Sequence, residues 1–236
     1  MNFVPKASTG IQDLDAMLGG GIVPGTFCIL DGDPMSAVHH LALEYARHGL
    51  RSGEGCVYLC TKEFGENILQ EIMLGGVPQV GLLSIIDAYT ALADPDVTDT
   101  DAIQYVSSVS DLPKLTHVVV QAMSKLYTAG VMQQRMVIES VDTLKMYLSI
   151  QAIYRFLFFI KAKVKAFKGT ALVVFSTDLC PEQDRRVLLE LADIVIRMES
   201  ATSSVRVMIP SKVPTTGKYS ANSGALTIMP TGVTAR

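Results

Sequence analysis

The stretch TFCILDGDPMSAVHHLALEYARH, residues 26–48, decides the fold. Its first six residues form an apolar run of strand length, and Gly32 then opens a tight connection. From Ala37 to His48, apolar side chains recur at helical spacing. A strand, a glycine-bearing loop and a helix in this order form the layout of a phosphate-binding loop, G-x-x-x-x-G-K-[ST], whose backbone N–H groups and helix N-terminus hold phosphate.

On that template, the loop has the expected position, but three of the four residues that define the motif are replaced. Gly32 takes the place of the first glycine, and Ala37 takes the place of the second. Val38 stands where the lysine belongs, and His39 stands where the Ser/Thr belongs. The sequence therefore predicts a vestigial phosphate loop, which consists of Gly32, Asp33, Pro34, Met35, Ser36, Ala37, Val38 and His39.

These replacements oppose the binding of a triphosphate with magnesium. A lysine about 4 Å from phosphate contributes a raw Coulomb term of roughly 4 kcal/mol near a protein surface, and this cation is missing. Asp31 and Asp33 repel phosphate, and His39 replaces the hydroxyl that would hold magnesium. Ala37 adds a methyl group where the backbone must approach phosphate closely. No cofactor is expected, and weak binding of ATP with magnesium is the alternative.

Composition excludes several classes of function. The chain has 236 residues, a formal net charge of −3 and no basic block, so nucleic acid is not an expected partner. The most apolar helical stretch, residues 152–160, contains Arg155 and is too short to span a membrane. Pro5 and Lys6 interrupt any apolar signal peptide at the N-terminus. We expect a cytoplasmic protein without a membrane segment.

The rest of the chain alternates between strands and helices. Four apolar runs are predicted to form neighbouring parallel strands with helices on both faces, at residues 26–31, 56–61, 134–139 and 170–177. Residues 141–167 are predicted to form one long helix that is apolar on more than one face. Three closing strands are predicted to be antiparallel, at residues 193–198, 205–209 and 225–229. This order predicts an α/β fold, a doubly wound and mostly parallel sheet with antiparallel C-terminal edge strands.

Residues 91–116 differ in composition from the rest of the chain, because they are acidic and rich in Ser and Thr. We interpret them as an exposed, partly mobile excursion from a single domain, residues 1–236. The stretch has no glycine of the kind that a calcium loop needs, and three of the four cysteines (Cys28, Cys56 and Cys60) lie in apolar, strand-like runs. We therefore expect no metal site, and we expect reduced thiols in the core.

A family resemblance follows from residues 8–32, STGIQDLDAMLGGGIVPGTFCILDG. This segment resembles the opening of the KaiC-like branch of the RecA-type ATPases, which reads S-T-G-x-x-x-L-D-x-x-L-G-G-G-[IL]-x-x-G before the phosphate loop. The match is long and specific, and it resembles the single-domain members of archaeal type. The resemblance implies a RecA-like P-loop NTPase fold.

The resemblance also implies site residues. In the family, the second strand ends in two glutamates, one of which prepares the attacking water, and here that pair is Lys62-Glu63. An Asp that supports magnesium ends a later strand, and here that position is Glu139. A K-x-R element reaches the neighbouring subunit's nucleotide, and here Lys212 remains while Pro214 replaces the arginine. Glu63 and Glu139 are accordingly interpreted as vestigial, and Lys212 as the inter-subunit residue.

Two functions from different classes remain open. The first is a catalytically inactive KaiC-like homologue, a regulatory or signal-transduction scaffold that binds unidentified protein partners and forms a two-fold homodimer. The second is an atypical ATP-binding protein or ATPase that uses Glu63 and Glu139 with a non-standard lysine such as Lys62 or Lys212. A DNA-associated role, as in the recombinase branch, is disfavoured by the acidic balance of the chain.

Overall fold

One ten-stranded sheet organises the chain, in the order β10-β9-β8-β7-β1-β6-β5-β2-β3-β4. The computed structural model describes residues 5–33, 35–74, 76, 82–176, 180–210, 212–222 and 225–233. The strands are β1 (Phe27–Gly32), β2 (Gly55–Cys60), β3 (Leu83–Asp87), β4 (Ile103–Tyr105), β5 (Gln134–Ile138), β6 (Thr170–Phe175), β7 (Ile194–Glu199), β8 (Ser204–Met208), β9 (Thr215–Asn222) and β10 (Ala225–Val233). The helices are α1 (Gln12–Met17), α2 (Val38–Arg51), α3 (Gly65–Leu74), α4 (Leu112–Thr128), α5 (Val141–Lys145), α6 (Ile150–Ala166) and α7 (Glu182–Leu189).

The centre of the sheet is parallel. β1 pairs in parallel with β6 and with β7, β6 pairs with β5, and β5 pairs with β2. The prediction that the four apolar runs are neighbouring parallel strands is confirmed; residue 177, at the end of one run, lies outside the described residues. Every residue of β1, β2 and β5 is buried, as expected for parallel strands that are covered on both faces.

Helices cover both faces of the sheet, and alternate side chains of each strand point to opposite faces. Cys28 and Leu30 belong to the core on the side of α1, α2 and α3. Phe27 and Ile29 belong to the core on the side of α4, α6 and α7. The predicted doubly wound α/β fold is therefore confirmed, and the described helices include none that is long and apolar enough to cross a membrane.

The C-terminal edge is antiparallel, as predicted, but it differs from the prediction in two details. β7 was predicted to be antiparallel, and it pairs in parallel with β1 and is antiparallel only to β8. β9 was not predicted, because its sequence TTGKYSAN is polar and lacks an apolar alternation. It nevertheless pairs with both β8 and β10, so that β8, β9 and β10 extend the parallel sheet beyond β7 as three antiparallel strands.

The predicted single helix over residues 141–167 is wrong, because two helices occupy this range. α5 ends at Lys145, and α6 begins at Ile150. Ser149 has an extended backbone, and its hydroxyl accepts a hydrogen bond from the Ala152 N–H at 3.3 Å, which makes it the N-cap of α6. The break leaves Met146 and Tyr147 exposed in the connection between the helices.

The interpretation of residues 91–116 as an exposed excursion is wrong in part. β4 lies within this range and pairs in parallel with β3 at the edge of the sheet. Ile103, Val106 and Val109 are buried, and α4 already begins at Leu112. These apolar residues, spaced three apart between polar neighbours, anchor the second half of the stretch against the core.

The N-terminal motif has a structural explanation. The carboxylate of Asp15 accepts hydrogen bonds from the Ser8 hydroxyl, the Thr9 N–H and the Thr9 hydroxyl at 2.5, 2.7 and 2.8 Å. Gly21 has φ of +105°, and a Cβ there would lie 2.7 Å from the carbonyl oxygen of Ala7. The motif therefore fixes the turn that pairs Ala7 with the segment after α1.

A buried ion pair joins this N-terminal segment to the sheet, and sequence analysis did not predict it. Arg135 on β5 is 1% exposed, and its Nε and Nη2 donate to the two carboxylate oxygens of Glu54, both at 2.8 Å. Its Nη1 donates to the carbonyls of Ser8 and Tyr45 at 2.6 and 2.7 Å. A Cβ on Gly49 would collide with the guanidinium, so glycine is required at that position of α2.

Candidate functional site

A cavity of about 780 Å³ lies at the carboxyl ends of the central parallel strands. In open α/β sheets this edge is where ligands bind. The wall combines the ends of β1, β2, β5 and β6 with the start of α2, Tyr89 after β3, and most residues between Glu139 and Tyr147. Its lining residues are Asp33, Ser36, Val38, His39, Ala42, Tyr58, Lys62, Tyr89, Glu139, Ser140, Asp142, Thr143, Lys145, Met146, Tyr147, Val174 and Ser176.

Asp33 accepts the hydrogen bonds that hold the predicted phosphate loop together. The Met35 N–H donates to Asp33 Oδ1 at 3.0 Å, and both the N–H and the hydroxyl of Ser36 donate to the Asp33 carbonyl, at 2.9 and 2.7 Å. Pro34 lies outside the described residues. The carboxylate of Asp33 therefore binds a backbone N–H of its own loop.

Two contacts from the antiparallel edge reach the same loop. Asp33 Oδ2 accepts the Ser200 N–H at 2.7 Å, and the Tyr219 hydroxyl on β9 lies near the Ala37 N–H. Burial acts to raise the pKa of the Asp33 carboxyl, but the hydrogen bonds from Ser200 and Met35 outweigh it and leave that pKa below its usual value. Burial raises the pKa of the Tyr219 hydroxyl, so the phenol is neutral.

Side chains fill the space over the first glycine of the loop. A Cβ on Gly32 would collide with the side chains of Ser36 and Val38. Val38 also packs against the core on the α2 side of the sheet. His39 lies at the cavity wall, and its Nε2 is 3.3 Å from Glu71 Oε2.

Glu139 ties the end of β5 to the end of β2. Its Oε2 accepts three backbone hydrogen bonds, from Thr61, Lys62 and Glu63, at 3.0, 3.0 and 3.2 Å. Burial raises the pKa of the Glu139 carboxyl despite these hydrogen bonds. The carboxylate thus binds the backbone that follows β2, at residues 61–63.

The structure does not bring the other two predicted residues to the cavity. The Glu63 carboxylate accepts the Phe64 N–H and the Asn67 side-chain amide, both at 2.9 Å, and therefore faces the start of α3. Lys212 is exposed between β8 and β9, and its N–H donates to the carbonyl of Ile209 at 3.1 Å. Among the described residues of the loop and the two predicted glutamates, the cavity is lined only by Asp33, Ser36, Val38, His39 and Glu139.

The wall residues that sequence analysis missed include Tyr58 and Asp142. Tyr58 on β2 is fully buried, and burial, followed by the charge of Glu139, raises the pKa of its hydroxyl well above the usual value. Asp142 Oδ2 accepts the Ser176 N–H at 2.8 Å, while Asp142 Oδ1 lies 3.5 Å from the Lys145 ammonium. The available signal is positional, because each of these residues lies near the carboxyl end of a parallel strand.

The described part of the chain contains no group of three or more His, Cys, Asp or Glu side chains placed to hold a metal ion. Cys28, Cys56 and Cys60 are buried in the strands. Burial raises the pKa of the Cys56 thiol to about 12, so this thiol is protonated and belongs to the core.

Comparisons with known proteins agree with this fold. A family model described as "ATPase: KaiC" matches residues 7–234. DNA repair protein RadA of Mycobacterium tuberculosis is 34% identical over 109 residues, which cover 42% of this chain and 23% of RadA. The UPF0273 protein PF1931 of Pyrococcus furiosus is 26% identical over 146 residues, which cover 60% of this chain and 56% of that protein. The chain thus spans less than two thirds of these curated relatives.

A solved structure also matches. The crystal structure of the KaiC-like protein PH0186 from Pyrococcus horikoshii OT3 aligns with a TM-score of 0.67 at 14% identity, covering 97% of this chain and 100% of the other. At this identity the match establishes the fold, which is the RecA-like α/β fold of KaiC-like proteins.

Proposed function

This chain belongs to the KaiC family of ATPases, and we propose that it is a member with a degenerate Walker A loop that does not hydrolyse ATP. In this proposal it acts in the cytoplasm as a regulatory or signal-transduction scaffold that binds other proteins. The observation that carries the proposal is that the loop that would hold phosphate is occupied by groups of the chain itself.

The backbone N–H groups of the loop, which a phosphate would need as hydrogen-bond donors, are already hydrogen-bonded within the chain. The N–H of Met35 is bound by the Asp33 carboxylate, and the N–H of Ser36 is bound by the Asp33 carbonyl. A phosphate would have to displace both, against the charge of Asp33. Backbone N–H groups at a helix N-terminus bind anions only when they are free to point at them. The loop therefore supports loss of triphosphate binding.

The groups that ATP hydrolysis would need, a loop lysine and two free carboxylates, are missing or engaged elsewhere. Val38 supplies no cation, and its side chain packs over Gly32. Glu139 is bound by three backbone N–H groups, and Glu63 faces α3. The second candidate, an atypical ATPase, is favoured by one observation, namely that Lys62 lines the cavity beside Glu139. Against it, Lys62 replaces one glutamate of the family's pair, and the carboxylate of the other, Glu63, faces the start of α3 and not the cavity.

Restoring the lysine separates the two candidates. We expect neither the wild-type protein nor Val38→Lys to hydrolyse ATP above background in a phosphate-release assay, because Asp33, Ala37 and His39 remain in place. Circular dichroism of Val38→Lys serves as the folding control. Wild-type turnover that disappears in Glu63→Gln would establish the atypical ATPase instead.

Exposed aromatic side chains support the scaffold role. Phe158 and Phe159 on α6 are 57% and 42% exposed, and Tyr154 stacks on Phe158 with ring centroids 6.1 Å apart. Exposed apolar patches of this kind mark protein contacts. We propose a two-fold homodimer, the commonest form of homo-oligomer, that forms independently of ATP. Sedimentation with and without magnesium-ATP measures it, and a hexamer that needs nucleotide would contradict it.

A further inference from the structure

One side of α6 is exposed and largely apolar. Phe158 and Phe159 lie on this side, away from the residues of α6 that are buried in the core. Ala162 and Ala166 are exposed on the same side, at the spacing of successive helical turns. The exposed residues from position 155 to the end of the helix form a surface that we call the α6 stripe, which consists of Arg155, Phe158, Phe159, Ala162, Lys165 and Ala166.

The shape of the α6 stripe fits a second helix. Its two alanines allow another backbone to approach closely, and the two phenylalanines beside them offer large apolar contacts. Amphipathic helices bind such surfaces through apolar residues at i, i+3, i+4 and i+7. One face of each phenylalanine ring is already covered, since Tyr154 stacks on Phe158 and the Lys163 ammonium lies 5.2 Å from the centroid of the Phe159 ring. The rings are therefore less available for stacking with nucleic-acid bases.

The helices around the α6 stripe supply cations and few carboxylates. α6 and α4, which pack side by side, contain Lys and Arg residues but no Asp or Glu. Among the described residues, Asp193 is the one carboxylate within ion-pair distance of an α6 cation. It is shared by two of them, Lys161 at 2.8 Å and Lys165 at 3.8 Å. On the other neighbour, α7, Glu182 is paired with Arg186 of the same helix.

Positive charge therefore remains on the α6 stripe and beside it. Arg155 and Lys163 have no carboxylate within ion-pair distance in the described part of the chain. Asp178 is the only Asp or Glu of the sequence outside that part, and one carboxylate neutralises one of these two cations at most. A second copy of this chain would bring the same cations against these, so charge favours an acidic partner on this surface.

We propose that the α6 stripe is the docking site for an acidic amphipathic helix of another protein. The apolar face of that helix packs on Ala162 beside Phe158 and Phe159, and its Asp and Glu side chains lie near Arg155 and Lys163. This inference rests on the proposed function and deepens it, because it names the chemistry of the partner that the scaffold binds. The two-fold homodimer proposed above then uses a different surface.

The test uses three synthetic peptides that differ in one property at a time. The first contains two copies of the repeat Glu-Glu-Leu-Leu-Glu-Glu-Phe-Ala, and it is acetylated, amidated and fluorescently labelled. The second replaces every Glu with Lys, and the third replaces every Leu and Phe with Ala. Fluorescence anisotropy with the full chain is expected to show binding of the first peptide and binding of the other two that is weaker by about tenfold or more.

Variants of the full chain locate the site. Phe158→Ala combined with Phe159→Ala should weaken the first peptide by about tenfold or more, because aromatic anchors carry much of the energy of such interfaces. Lys163→Glu should weaken it about tenfold at low salt and less at high salt. Leu74→Ala is the apolar control, since Leu74 is 87% exposed on the other face of the sheet, and Arg186→Glu is the charge control. Both controls should leave the affinity unchanged, and thermal midpoints near that of the wild type verify folding.

Several results would overturn this inference: absent binding of the acidic peptide, equal binding of the acidic and basic peptides, or an unchanged affinity in either variant of the α6 stripe. Binding of phosphatidylserine vesicles or single-stranded DNA without binding of the acidic peptide would also overturn it. So would a homodimer that dissociates in the double phenylalanine variant. None of these measurements involves ATP, so each would leave the proposed loss of ATP hydrolysis standing. ATP hydrolysis by the wild-type protein would instead overturn the proposed function and leave the peptide result in place.

Discussion

Arg135→Ala is expected to lower the free energy of unfolding by about 3–5 kcal/mol, the largest loss from any single ion pair in the described structure. The guanidinium is 1% exposed, so its removal leaves the Glu54 carboxylate buried without its cation. It also leaves the carbonyls of Ser8 and Tyr45 without their donor. Urea denaturation followed by circular dichroism measures the loss.

Arg186→Ala is the control for that measurement. Arg186 forms an ion pair with Glu182, but the two side chains are 74% and 63% exposed. Exposed pairs contribute little, so this variant should unfold at nearly the wild-type urea concentration. Equal and small losses in the two variants would show that the buried cluster does not hold the N-terminal segment to the sheet.

Asp87→Ala is expected to cost about 3 kcal/mol, because the buried carboxylate accepts several hydrogen bonds at once. Its oxygens accept the N–H groups of Gly65, Tyr89 and Thr90 at 2.7, 2.8 and 2.8 Å, and the Thr90 hydroxyl as well. The contacts hold the start of α3 and the cavity residue Tyr89 at the end of β3. Thermal and urea unfolding both report this loss.

Asp111, an exposed carboxylate that also accepts a backbone hydrogen bond, provides the comparison for Asp87. Asp111 caps α4 by accepting the Lys114 N–H at 2.9 Å. Asp111→Ala should therefore cost about 1 kcal/mol, the usual effect of an N-cap. If Asp87→Ala cost no more than Asp111→Ala, the network around Asp87 would not be a main support of this edge of the cavity.

The central sheet could be predicted from the sequence because its strands are continuous apolar runs that must be covered on both faces. β9 could not, since the pairing of a polar strand is imposed by its neighbours β8 and β10. The break at residues 146–149 was hidden because the apolar pattern continues through it, and the signal for the break is a single capping serine, Ser149. Local polar chemistry outweighed periodicity there.

The position of the candidate site was predictable, but its contents were not. The strand–loop–helix pattern placed the loop from Gly32 to His39 correctly at the end of β1. Tyr58, Asp142 and Tyr219 come from three other elements, and spacing along the chain does not encode which strand ends meet. Tyr219 could not be predicted for a second reason, because it lies on β9, the strand that sequence analysis missed.

The most direct test of the account is thermal unfolding of the wild-type protein with magnesium alone and with magnesium-ATP. A nucleotide at 100 times its dissociation constant stabilises a protein by about 2.7 kcal/mol, which for a chain of this size raises the midpoint by roughly 5–10 °C. Because the chain itself occupies the loop N–H groups that a phosphate needs, we predict identical midpoints in the two samples. A rise of several degrees that requires ATP would contradict the account.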